Sequence, residues 1–214
     1  MATPVLYKSK VINFYGGAGS GKSTIAAELF AHMKKLGQSV ELVTEVAKDI
    51  VHEHRMDYMM THQDMISAEQ NFRQARVCGM YEYVITDSPV LLGMFYCSDD
   101  YYPSFRRFVI EKVQGYNNIN IFLDREAPYD PRGRYQDEAG ANAMSNEILG
   151  YLKNEGIPFY RMPANTETIG KVLEVLKVHG TPAAFNHLER PTIGKYGTKY
   201  PKYYLTIEDR NTKG

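Results

Sequence analysis

A chain of 214 residues with 43% hydrophobic and 23% charged side chains has the balance of one globular domain with at most a short appendage, not of a disordered or fibrous protein. Its 25 Lys and Arg cancel its 25 Asp and Glu, so no global field draws it to nucleic acid or to an anionic membrane, and any polyanion site has to be a local patch. Cys78 and Cys97 are too few for a disulfide framework, the longest apolar run (Val90 to Cys97) is far below the ~20 residues of a bilayer span, and MATPVLYKSK lacks the apolar core of a secretory signal, which together predict a soluble cytoplasmic protein with no membrane partner.

In chain order, Lys10 to Tyr15 reads as a short buried strand that runs into GGAGSGKST and then an amphipathic helix from about Lys22 to Leu36, with Gly37 as its C-cap. Val40 to Val43 is a second strand, leading through Thr44-Glu45 to a short helix that includes Ile50 and Val51. Helical spacing returns from about His62 to Cys78. A third strand, Tyr83 to Thr86, ends at Asp87-Ser88-Pro89, where proline forces the chain out of the sheet. Pro103 to Val113 is predicted helical and Ile119 to Leu123 a fourth strand. The polar segment from Asp124 to Gly140 reads as a mobile connection. A helix from Ala141 to Asn154, a fifth strand at Pro158 to Arg161 and a helix from Thr168 to Lys177 complete the pattern. This alternation predicts an α/β fold of the P-loop NTPase type, a five-stranded parallel sheet with helices on both faces. A domain over residues 1–179 and a Tyr/Lys-rich extension over 180–214 are expected.

Gly16-x4-Gly21-Lys22-Ser23 matches the phosphate-binding loop in full, between a strand and a helix as that loop requires. Glycines at 16, 17, 19 and 21 are expected to permit backbone angles that turn successive amides inward as an anion nest. The helix start adds about half a positive charge. Across Gly16, Gly17, Ala18, Gly19, Ser20, Gly21, Lys22, Ser23 and Thr24 this predicts a nucleotide triphosphate site. Lys22 is expected on the β- and γ-phosphates and the Ser23 hydroxyl on Mg²⁺. Asp87, at the end of the third strand, is the expected second metal-side group; as an alternative it caps the segment that follows.

The loop alone does not name a reaction. No Asn-Lys-x-Asp element for guanine is present, and the neighbour of Asp87 is Ser88 rather than the glutamate with which motor-type ATPases activate water. A second strand-end carboxylate, Glu45, and an arginine-rich connection with Arg125, Arg132 and Arg134 are instead the equipment of a kinase. The carboxylate deprotonates an acceptor hydroxyl while the arginine lid closes over the triphosphate. Asp49, one turn after Glu45, is a competing base. Gln70 and Arg73 share a helix face; the amide suits a base edge and the guanidinium an acceptor or phosphate. His52-Glu53-His54 lacks a third ligand and the right facing for a metal site.

GGAGSGKST, VELVTEVAKDIV, Gln70-x-x-Arg73, VITDSPVLLG, NINIFLDR and GRYQDE, in this order from Lys10 to Arg161, resemble a group of bacteriophage-encoded P-loop proteins. That group is similar to the kinase part of bacterial nicotinamide-riboside kinases. It includes phage DNA kinases that phosphorylate the hydroxymethyl group of 5-hydroxymethyluracil in DNA. The resemblance implies that Gly16 to Thr24 bind ATP, that Asp87 assists the metal and that Glu45 is the acceptor-side carboxylate. It also implies a modified-thymine DNA substrate in a host cytoplasm. The alternatives are a small-molecule kinase for a nucleoside, nucleotide or nicotinamide riboside, and a nucleotide-dependent regulatory ATPase. From Arg190 to Tyr204, beyond the resemblance, Arg190, Lys195, Lys199 and Lys202 interleave with Tyr196, Tyr200, Tyr203 and Tyr204 without an acid. Such a pattern suits phosphates and unpaired bases, or packing of the extension on its own domain. Chemistry on a base in duplex DNA would require flipping it out.

Overall fold

The computed structural model describes residues 7–98, 100–132 and 136–179. Arg134 and the whole 180–214 extension, with its four cations and four tyrosines, lie outside the described residues. The strands are β1 (Lys10–Tyr15), β2 (Val40–Val43), β3 (Tyr83–Thr86), β4 (Asn117–Asp124) and β5 (Tyr160–Pro163), all parallel in the order β2-β3-β1-β4-β5. The helices are α1 (Lys22–Lys35), α2 (Val46–His52), α3 (Met56–Thr61), α4 (Gln63–Ala75), α5 (Pro103–Gln114), α6 (Glu138–Asn154) and α7 (Thr168–Val178).

β1 is buried at every position, as a central strand covered on both faces must be. Its alternate residues serve two cores. Ile12 and Phe14 join Leu29 and Met33 of α1 and Val172 of α7 on one face. Tyr15 and Phe122 turn to the other, against Val109, Ile148 and Leu152 of α5 and α6. On that second face a polar ladder ties β1 to β4: Asn13 Nδ2 donates to Asn118 Oδ1 at 2.8 Å and to Asn120 Oδ1 at 3.1 Å.

β3 pairs directly with β1, Asn13 opposite Thr86, so the turns after the two strands leave the sheet side by side. Ligands of open parallel sheets collect at this carboxyl edge.

Four expectations need correcting. β5 occupies Tyr160–Pro163, two residues later than expected, because α6 ends in a turn in which Gly156 adopts φ 62° and Ile157 N donates to Leu152 O at 2.9 Å. Ile157 and Phe159 then pack into the α5–α6 core before pairing resumes. α6 begins three residues early, at Glu138, because Asp137 caps it by accepting from Gly140 N at 2.8 Å. The segment read as one long connection is therefore shorter. Two elements were not expected at all: α3, and a 3-10 turn at Val90–Phe95 that follows Pro89 and buries Val90, Leu91, Leu92, Met94 and Phe95. No helix among the described residues is long and apolar enough to cross a membrane.

Candidate active site

The turn between β1 and α1 is shaped by glycines for two different reasons. Gly16, Gly19 and Gly21 hold φ of 141°, 75° and 86°, a region other residues avoid. Gly17 has no such angle; a Cβ there would come within 2.1 Å of Ala141 O, so its role is to let the loop lie against α6. This corrects the expectation of one shared reason. Gly17 N donates to Ser145 Oγ at 3.2 Å, which fastens the loop to the same helix. α1 starts without a side-chain cap and without an acid in its first turn, leaving its first amides for an anion. Lys22 Nζ donates to Gly16 O at 2.7 Å and to Gly17 O at 2.8 Å, which holds the ammonium across the start of the loop.

Beside this loop, Asp87 is 7% exposed and its Oδ1 has no hydrogen-bond partner within the protein. Burial pushes its carboxyl above the usual carboxylate range, against the pull of Lys22, of Lys48 and of backbone hydrogen bonds from its own amide and that of Glu45. The Glu45 amide thus ties the end of β2 to the end of β3. Glu45 itself stands at the N-cap of α2.

Lys22, Ser23, Glu45, Lys48 and Asp87 line one cavity of about 270 Å³. It continues from the phosphate loop into a compartment walled by α2, α3, α4 and the 3-10 turn, with Arg132 and Gln136 of the β4–α6 connection also contributing. The set fits a hard divalent cation shared with phosphates, because it offers the Ser23 hydroxyl and a buried carboxylate oxygen that no protein group satisfies. No cluster of three His, Cys, Asp or Glu stands together among the described residues, so such an ion would draw its other ligands from phosphate and water.

The remaining expected site residues separate. Gln70 lines the cavity, but its Oε1 accepts from Val46 N at 2.9 Å and its Nε2 donates to Thr44 O at 3.4 Å. Its amide therefore clamps the β2–α2 turn that carries Glu45. Arg73 does not line the cavity; it pairs with Asp49 at 2.9 Å and with Glu69 at 3.2 Å. The same pair occupies Asp49, the competing base. Arg125 is also outside the cavity: it donates to Glu138 and Asn142 of α6 and lies 5.1 Å from the ring centre of Tyr129. Arg132 is at the cavity, highly exposed and paired with Asp130 at 2.7 Å.

Lys48, Ser67 and Gly93 line the cavity without having been singled out from the sequence. Lys48 had a detectable signal, its position three residues after Glu45 on the same helix face. Ser67 and Gly93 had none, since only the packing of α4 on the 3-10 turn brings them together.

Residues 11–168 match a family described as AAA domain. The chain belongs to that family. This AAA domain is thereby a P-loop nucleotide-binding domain, in agreement with its loop and sheet. No curated relative matches the sequence. Among solved structures, the AAA domain is similar to a variant of the APS kinase of Mycobacterium tuberculosis, at 14% identity over 79% of this chain and 97% of that one, with a TM-score of 0.44. A second structure of that enzyme, in complex with AMPPNP and APS, aligns at 12% identity over 79% and 98% of the two chains, with a TM-score of 0.46.

Proposed function

We propose that the protein is an ATP- and Mg²⁺-dependent kinase that transfers the γ-phosphoryl group to a hydroxyl presented in the compartment between α2, α4 and the 3-10 turn. The single observation that carries this reading is one continuous cavity holding both Lys22 of the phosphate loop and Glu45, with a compartment beyond them that a triphosphate does not need. Glu45 is the base in this reading because Asp49 is engaged by Arg73. The acceptor oxygen forms a bond to Pγ as the bond from Pγ to the bridging oxygen of ADP breaks, and the hydroxyl proton passes to the Glu45 carboxylate. Lys22 and the first amides of α1 bind and orient the phosphates, and Arg132 covers them from the connection. Arg125 acts indirectly, by fixing the first turn of α6 against which the loop rests. Mg²⁺, held by Ser23 and Asp87, would supply charge neutralisation at the β- and γ-phosphates.

As acceptor we propose the hydroxymethyl group of 5-hydroxymethyluracil in phage DNA, flipped into the compartment, with the 180–214 extension holding the strand. The resemblance of the TEVAKD and TDSPVLLG segments supports it. A second reading, a kinase for a free nucleoside, nucleotide or nicotinamide riboside, is favoured by the size of the cavity, about 270 Å³, which suits a small molecule beside the phosphate loop. Incubation with γ-labelled ATP and a panel of modified DNA, free nucleosides and nucleotides decides between them. Label in DNA that disappears when residues 180–214 are deleted, while nucleotide binding persists, supports the first reading. Label in the free compound, unaffected by the deletion, supports the second. ATP turnover that no acceptor changes overturns both in favour of a regulatory ATPase.

A further inference from the structure

The charged side chains of the cavity are unevenly placed. Among the described residues Lys22, Glu45, Lys48, Asp87 and Arg132, with the imidazole of His52, all come from the start of α1, the strand ends, α2 and the connection before α6. The wall supplied by α3, α4 and the 3-10 turn has no charged side chain: it combines apolar Met59, Ile66 and Leu92 with uncharged Gln63, Ser67 and Gln70. Two of those polar groups are already committed to the fold. Gln63 Nε2 donates to Met59 O at 2.6 Å, and both ends of the Gln70 amide hold the β2–α2 turn. Ser67 differs. It is 2% exposed, and its Oγ has no hydrogen-bond partner in the protein. Its Oγ is turned onto Gly93, where a Cβ would approach it to 2.0 Å, so a residue with no side chain is what leaves the hydroxyl its place beside the cavity and lets it turn.

Resting on the kinase reading above, we infer that this wall selects an acceptor whose inserted part is an uncharged, flat ring, and that Ser67 is the specificity-determining residue whose hydroxyl, rotating about χ1 from Gly93 into the cavity, hydrogen-bonds its polar edge. The hydroxyl both donates and accepts, so it pairs with either polarity of a heterocycle edge. An anionic or cationic group pressed against this wall would lose its water and meet no countercharge from α3, α4 or the 3-10 turn, which disfavours acceptors whose phosphate, sulfate or pyridinium group enters on this side. The space is adequate: a cavity of ~150 Å³ admits benzene, and this one is about 270 Å³ including the phosphate end.

The test compares the full chain with Ser67→Ala, using 5-hydroxymethyl-2′-deoxyuridine as the neutral probe and adenosine 5′-phosphosulfate as the anionic one. For Ser67→Ala the KM for the neutral probe is expected to rise about tenfold, the size of one hydrogen bond lost. The KM for ATP stays unchanged, and Tm is unchanged or higher because the deleted hydroxyl had no partner. An unaltered KM for the neutral probe, or a kcat/KM for the anionic probe equal to that for the neutral one, overturns the inference. If the wild type labels neither probe, the kinase reading fails for these acceptors and the inference is read by NMR titration of the neutral probe in the presence of ADP. Binding that weakens about tenfold in Ser67→Ala sustains it; equal affinity, or no binding to the wild type, overturns it.

Discussion

Asp87 and Glu45 are both strand-end carboxylates, yet their surroundings push them toward different tasks. Asp87 is buried beside two lysines, and burial dominates, so its carboxyl sits above the usual range. The folded state therefore binds that proton more tightly than the unfolded chain does. The stability Asp87 contributes is fully present below the unfolded carboxylate pKa and is lost as pH rises through its raised folded value. Asp87→Asn removes the charge, so it is expected to melt higher than the wild type at pH 7. That difference should close as pH falls toward about 4 in thermal melts run across the range. A lower melting temperature at pH 7 would show that the carboxylate is held by contacts worth more than its desolvation. Glu45 is tested by kinetics instead. Glu45→Gln should bind ATP as the wild type does while kcat falls by about 10²–10⁴, the usual contribution of a positioned base. An unchanged kcat would move proton transfer to another group.

At the scale of elements, the phosphate loop is held by α6 as much as by its own strand and helix. Gly17→Ala places a methyl group 2.1 Å from Ala141 O, a backbone atom of a helix that cannot simply rotate away. The loop must therefore shift off α6, with an expected loss of about 1–3 kcal/mol in denaturant melts and a weakened nucleotide affinity by equilibrium titration. Wild-type affinity in this variant would mean that the loop's seat on α6 is incidental. The same helix explains what the sequence could and could not reveal. β1, β2, β3 and α1 were legible because each carries its own period and its own punctuation, such as Gly37 after α1, which adopts φ 73°. Asp87 and Glu45 were legible because a strand end is a position along the chain. Gln70, Arg73 and Asp49 were not. Residues 24 apart, Gln70 with Val46 and Arg73 with Asp49, meet only when α4 docks on α2, and that contact takes up groups that look available in isolation. Ser67 beside Gly93 and Gly17 beside Ala141 were hidden for the same reason: close approach between distant elements leaves no mark on local periodicity.

Over the whole molecule, equal numbers of acids and bases leave no general attraction for a polyanion, so the fold has to concentrate its cations. Lys22, Lys48 and Arg132 do so on one side of a single cavity, and the charge-free wall of α3 and α4 stands on the other. Such a division suits a reaction in which one partner is a triphosphate and the other an uncharged group. The strand-end Asp87 is followed by Ser88, so no second acid stands next to it in sequence to activate water. The most direct measurement is the stoichiometry of turnover: ADP, free phosphate and phosphorylated product quantified together with 5-hydroxymethyluracil-containing DNA as acceptor. The expected result is one phosphorylated hydroxyl for each ADP and little free phosphate. ADP and free phosphate released in equal amounts, with the DNA unmodified, would contradict it.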